Sequence, residues 1–309
     1  MNLAITAFMQ IMIMFFIILA GIVCYKTKLI DNEMNKKLAD LVLVLVNPIL
    51  IFVSYQREFQ ANLLSGLLIS FLMATITHFF AIFTARFLVR KKNNKPDLTI
   101  ERFAIIYSNC GFIGIPLVNG ILGSEGVFYL TAYMTIFNLF IWTHGMITMS
   151  GRTDKKMIMK ALLSPSILAT IGGFLFFVCK IMLPNVMIEA LSYLGDMNTP
   201  LAMLVSGVTI AQTDLIKLFR KIKIFYLTFL KLIFIPVAML FLFHLFDMER
   251  IVLLTSILAA ACPTAASVNL FALKYDKNYL YASELFAVTT ILSIITIPLV
   301  MIVANLLIT

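Results

Sequence analysis

Asn109 lies in a run, Ser108-Asn109-Cys110-Gly111-Phe112-Ile113-Gly114-Ile115-Pro116, that interrupts the apolar segment 103–121. An uncharged carboxamide inside a bilayer can donate to a carboxylate without the cost of burying a second charge. Gly111 and Gly114 remove side chains and let backbone approach a ligand or an opposing segment. A second apolar segment, 251–273, is interrupted by Cys262-Pro263-Thr264-Ala265-Ala266-Ser267, and Asn269 follows it. Thr264, Ser267 and Asn269 offer hydroxyl and amide groups but no fixed charge. Each broken segment is preceded by an acid–Arg pair, Glu101-Arg102 and Glu249-Arg250. A helix that stops inside the bilayer frees N–H and C=O groups that lipid cannot satisfy. Such a break is tolerated where it lines a cavity or meets a ligand, and its half-helix N-termini then attract anions. The chemistry expected is therefore the binding of a small organic anion by Asn109, Gly111, Gly114, Pro116, Pro263, Thr264 and Ser267.

Two further interruptions sit at matching places. Asn47-Pro48 lies in the second apolar segment, and Asn198-Thr199-Pro200 in the seventh. A proline inside a helix frees a carbonyl four residues earlier, so Asn47 and Asn198 join the expected site. For all these residues a structural reading, a kink or a helix–helix hydrogen bond, stays open. Four ionisable groups lie in or beside apolar segments: His78, Asp196, Lys231 and Glu284. Ionisable residues in membranes are candidates for proton relays, and these four are the candidates for proton coupling. Glu284 is about a turn and a half from its loop, and the stem of Lys231 could snorkel part of the way to its own.

The elements that must position these groups follow from composition. The 309 residues are 61% hydrophobic and 13% charged, outside the range of soluble domains. Apolar stretches fall near 3–25, 38–55, 62–85, 103–121, 126–149, 161–183, 188–211, 222–246, 251–273 and 279–307, giving ten spans. The first reads as a retained helix, since it has no basic flank and no small-residue cleavage pattern. Twenty of the 24 Lys and Arg fall in or beside the odd-numbered loops. Positive loops remain cytoplasmic, so both termini are expected outside the cell membrane. The net charge of +9 thus reflects topology, and nucleic acid is not an expected partner.

The expected fold is all-α, ten transmembrane helices in two inverted five-helix repeats, residues 1–150 and 151–309, with broken, crossed helices four and nine. Cys24, Cys110, Cys179 and Cys262 show no metal-ligand spacing. Cys110 and Cys262 flank the breaks and are expected to face the cavity. Walker A, GxSxG, HExxH and GxGxxG patterns are absent. His78, His144 and His244 have no paired spacing. No enzyme, cofactor or metal site is expected. A receptor would carry polar domains in its loops or tails, and the loops here are short.

Asn109-Cys110-Gly111-Phe112-Ile113-Gly114-Ile115-Pro116-Leu117, followed by Gly123 and Gly126, resembles the fourth-span motif of the auxin efflux carrier family. Thr289–Leu299 looks like that family's last helix, and Asn47-Pro48 and Asn198 fit as well. The resemblance covers essentially the whole chain and implies two five-helix repeats. It implies a scaffold domain of helices 1, 2, 6 and 7, and a transport domain of helices 3–5 and 8–10. It also implies that Asn109 and Asn198 meet the substrate carboxylate, and a homodimer through the scaffold fits this fold. The expected function is a secondary transporter, an efflux carrier or permease for carboxylates or auxin-like acids, working by alternating access. The alternative is a sodium-coupled symporter of the related bile-acid transporter fold. That reading calls for clustered oxygen ligands, and the ninth span has no acid between Glu249 and Asp276. The chain lacks the long loop between spans five and six found in plant exporters, and its Cys262-Pro263-Thr264 departs from a Pro-Gly break.

Overall fold

The computed structural model describes residues 3–90, 97–151, 159, 163–213, 221–246 and 248–308. The basic residues Lys91, Lys92, Lys95, Arg152, Lys155, Lys156, Lys160, Lys217 and Arg220 lie outside that set. The described chain is helical, with no strand and a single isolated bridge. We label the helices α1 (Leu3–Lys26), α2 (Asn32–Ser54), α3 (Ala61–Leu88), α4 (Leu98–Ile106), α5 (Cys110–Ser150) and α6 (Pro165–Val178). They continue as α7 (Asn185–Asp196), α8 (Asn198–Ala211), α9 (Ile222–His244), α10 (Arg250–Ala261), α11 (Ser267–Lys274) and α12 (Tyr279–Ile308).

Six of these, α1, α2, α3, α5, α9 and α12, are long and apolar enough to cross a bilayer. Two more, α6 and α10, are apolar but shorter. The expected fourth and ninth spans are each divided, α4 from α5 and α10 from α11. The expected seventh is divided at Met197 between α7 and α8. The 41-residue α5 holds Gly123 at φ 69° and ψ −165°, a non-helical conformation that separates it into two helices. Only glycine adopts such a positive φ freely, so Gly123 marks the turn between the fourth and fifth apolar stretches.

Prolines shape the helices without ending all of them. Four five-residue π turns occur among the described residues, and three stand directly before an X-Pro pair. They are Val42–Val46 before Asn47-Pro48, Cys110–Gly114 before Ile115-Pro116, and Leu230–Phe234 before Ile235-Pro236. Proline lacks an N–H and crowds the carbonyl four residues back. A π turn widens the helix there and absorbs the clash. The Asn47-Pro48 interruption is thus a bulge within a continuous α2, whereas Pro263 stops α10 outright, with Cys262 extended at ψ 146°.

α1 packs along α8 over its length, and the C-terminal half of α2 packs on α6 and α7. α3, α5, α9, α10 and α12 form a second set of neighbours, which enclose α4 and α11. α1 also touches α5 and α12, bridging the sets. Gly21 and Gly207 bring α1 and α8 together: an added Cβ on Gly207 would meet Gly21 Cα at 3.0 Å and the Ile18 carbonyl closer still. Small residues at such a crossing let backbones approach in a membrane, where packing drives association.

Gly207→Val should therefore lower the melting temperature of the purified protein in detergent, at a cost of about 1–3 kcal/mol for overpacking. Gly172→Ala, where nothing lies within 4 Å of the new Cβ, should melt no lower than wild type. Equal melting of Gly207→Val and wild type would show that the α1–α8 contact is loose.

Candidate functional site

The two breaks meet. The chain leaves α4 with Tyr107 extended, and Tyr107, Ser108 and Asn109 run antiparallel to Pro263, Thr264 and Ala265. Asn109 N donates to Pro263 O at 2.7 Å, and Ala265 N donates to Tyr107 O at 2.9 Å. Each unwound segment supplies the backbone partners that the other lost by leaving its helix. Thr264 adds two bonds: its Oγ1 donates to Ala104 O at 2.9 Å, and its N donates to Thr289 Oγ1 at 3.2 Å. Thr264, Pro263 and Ser108 are all buried.

Asn109 caps the π turn that opens α5. Its carbonyl accepts from Ile113 N and Gly114 N, both at 3.0 Å. Its side chain is 3% exposed, and Nδ2 has no partner among the described residues. Gly111 lies beside it, and a Cβ there would come within 3.6 Å of Asn47 Nδ2. Asn47 Oδ1 in turn accepts from Asn198 Nδ2, and Asn198 Oδ1 is buried without a partner among the described residues. The structure thus brings Asn47, Asn198 and Gly111 together from three helices, with Asn109 two residues before Gly111 in the chain. Pro116 O is also claimed, by Gln10 Nε2 of α1 at 3.1 Å. Ser267 Oγ and Asn269 Oδ1, at the start of α11, are further buried atoms without partners among the described residues. A small apolar cleft lies between α1, α5 and α12, lined in part by Ile113, Leu117, Thr290 and Ser293.

Lys231 does not snorkel to its loop. It is 1% exposed, and its Nζ donates to Ser108 Oγ and, at 3.2 Å, to Ala260 O. The π turn before Pro236 carries it. His78 is buried on α3, with Nδ1 on Ala74 O at 2.8 Å and its ring against Tyr133 and Phe140. The other two proton-coupling candidates lie elsewhere. Asp196 is exposed at the end of α7. Glu284 pairs with Lys221 at 2.6 Å. Cys110 and Cys262 are fully buried rather than open to a cavity, packed around Gly114, and Cys262 Sγ donates to Leu258 O at 3.3 Å.

The two acid–Arg pairs anchor the outer ends of the broken helices. Buried Glu101 takes Lys223 at 2.5 Å and Tyr281 at 3.2 Å, while Arg102 donates to Val89 O. Glu249 accepts from Tyr129 at 3.3 Å, and Arg250 donates to Asn305 at 3.1 Å. Nearby, Arg57 in the α2–α3 connection lies 4.9 Å over the Phe128 ring. Burial holds its guanidinium below its ordinary pKa, opposed by Glu125. Gln10, Ser108 and Thr289 were not singled out from the sequence. A polar residue in an otherwise apolar span was the available signal for Gln10.

A body of apolar helices built around two mutually paired breaks defines a membrane transport protein. A profile of the family described as "Membrane transport protein" matches residues 6–159 and again 152–301. The chain belongs to that family, the auxin efflux carrier family. It is 27% identical over 228 residues to a Rhizobium meliloti (strain 1021) protein named "Putative malonate transporter", covering 71% of each chain. It is 24% identical over 289 residues to an "Uncharacterized transporter" of Methanothermobacter thermautotrophicus, covering 92% of this chain and 93% of the other.

Burial sets the order of thiol reactivity. Exposed Cys179 should react fastest with a maleimide, and Cys110 and Cys262 only as the crossing opens. Peptide mass spectrometry over a time course checks this. Labelling of Cys110 as fast as Cys179 would show that the crossing is open to water in the resting protein.

Proposed function

We propose that this chain is a secondary transporter of small organic anions, carboxylates foremost, and that it works by alternating access. The observation that carries the reading is the buried, unpartnered Asn109 amide at the N-terminus of α5, beside the paired breaks. A carboxylate placed there takes the Asn109 N–H together with free N–H groups of the half-helix, where the helix dipole also favours negative charge. Asn47 Nδ2 offers a further amide donor across Gly111, and Asn198 Nδ2 holds the Asn47 side chain by donating to its Oδ1. The name of the Rhizobium relative makes malonate and related dicarboxylates the first substrates to try.

The two successive profile matches support two repeats near residues 1–150 and 151–309, inverted because each holds an odd number of spans. The close packing of α1 with α8 and of α2 with α6 and α7 supports a scaffold from spans 1, 2, 6 and 7. The transport domain would then be spans 3–5 and 8–10, sliding against the scaffold at Asn47, Asn198 and Gly111. A scaffold-mediated homodimer belongs to the same reading. The distribution of Lys and Arg supports a reading in which the protein sits in the cell membrane with both termini outside.

Two measurements test this. Malonate should raise the melting temperature of purified wild-type protein, and Asn109→Ala should abolish that rise while folding normally. Loss of one charge-assisted hydrogen bond alone costs about 1.5–3 kcal/mol, a factor of more than ten in affinity. Full stabilisation of Asn109→Ala would make Asn109 a packing residue. For topology, a cysteine at Lys277 should be shielded from an impermeant thiol reagent in intact cells, and cysteines at Glu58 and Asn185 should be labelled. The reverse pattern would invert the orientation.

A further inference from the structure

One charge at the crossing has no part in the carboxylate contacts proposed above. Lys231 is buried at the crossing, and among the described residues no carboxylate lies within 4 Å of its Nζ. Its two partners are informative. Ala260 O belongs to the last turn of α10, whose carbonyls have no N–H partner within the helix and carry its negative dipole end. Ser108 Oγ belongs to the opposing break and directly precedes Asn109 in the chain. In transporters built on broken helices, half-helix C-terminal ends and unwound carbonyls are where a coupling cation binds. Here an ammonium group, tethered through the π turn of α9, already stands at such an end.

We propose that Lys231 is the tethered cation of this crossing: it caps the C-terminal end of α10, holds Ser108 and with it the Asn109 amide, and supplies the positive charge that an anionic substrate balances. The inference deepens the organic-anion reading and rests on it. A cation buried without a counter-ion is costly, so the site is completed electrostatically by a carboxylate. A neutral isostere gains the amide contacts but leaves the charge uncompensated. Because the cation is covalently attached, the crossing needs no alkali ion to hold its two breaks together. Lys231 acts on selectivity through position and charge, as a positioning residue.

The test compares wild type, Lys231→Arg, Lys231→Gln and Lys231→Met. Melting temperatures are measured with malonate, with its uncharged analogue malonamide, and with sodium or choline chloride at one ionic strength. Wild type should bind malonate at least about tenfold more tightly than malonamide, as expected when a charge-assisted contact is lost. Lys231→Arg should retain most of that preference. Lys231→Gln and Lys231→Met should lose it, the two ligands binding within about threefold. Without ligand, sodium and choline should give wild type the same melting temperature. A full charge preference in folded Lys231→Gln overturns the proposal, and so does a sodium-specific stabilisation of wild type. The ion comparison uses no substrate and no variant. If malonate binds nothing while sodium and choline remain equivalent, the organic-anion reading fails and the capping role of Lys231 stands.

Discussion

The structure depends on the pairing of two stretches of backbone that have no helix to belong to. Tyr107–Asn109 and Pro263–Ala265 exchange hydrogen bonds across an antiparallel bridge, each resolving the other's unmet N–H and C=O groups. An unsatisfied backbone group in hydrocarbon costs several kcal/mol, so neither break would persist without the other. The pairing explains why both breaks are short and why Thr264 spends its hydroxyl on Ala104. It also leaves two helix C-termini and two helix N-termini converging in one buried place.

Charge balance at that place follows from the pairing. The end of α10 is met by the Lys231 ammonium, and the start of α5 by Asn109, which carries no charge. No acidic side chain contacts Lys231 among the described residues. The Lys231 proposal rests on this arrangement, since a positive side chain with no acid beside it favours an anion over a free cation. The acids that are present, Glu101 and Glu249, are spent at the far ends of the broken helices, holding them to neighbours.

Prolines carry the second constraint, and their consequences differ with context. Where a helix can widen into a π turn, as before Pro48, Pro116 and Pro236, it continues and merely re-aims its side chains. One such turn aims Lys231 inward, and another follows the Asn109 cap. Where the preceding backbone has a partner elsewhere, as at Cys262-Pro263, the helix ends.

The sequence by itself determined the membrane class, the positions of the breaks and their likeness between the halves. These rest on local facts: apolar length, the missing N–H of proline, and the small side chains of Gly111 and Gly114. It also pointed to Asn109, Asn47 and Asn198, because polar amides are conspicuous in apolar runs. The tertiary structure decided how those groups combine. Asn47 lies 151 residues from Asn198, and Lys231 lies 123 from Ser108. No local pattern encodes such contacts. Read along the chain, Lys231 is a stem long enough to reach back toward its loop; only packing against the crossing turns it inward. Glu284 reads as an intramembrane acid until folding sets Lys221 beside it. Periodicity and composition report what a segment must bury, but which partner satisfies a buried polar atom depends on helices brought together from distant parts of the chain.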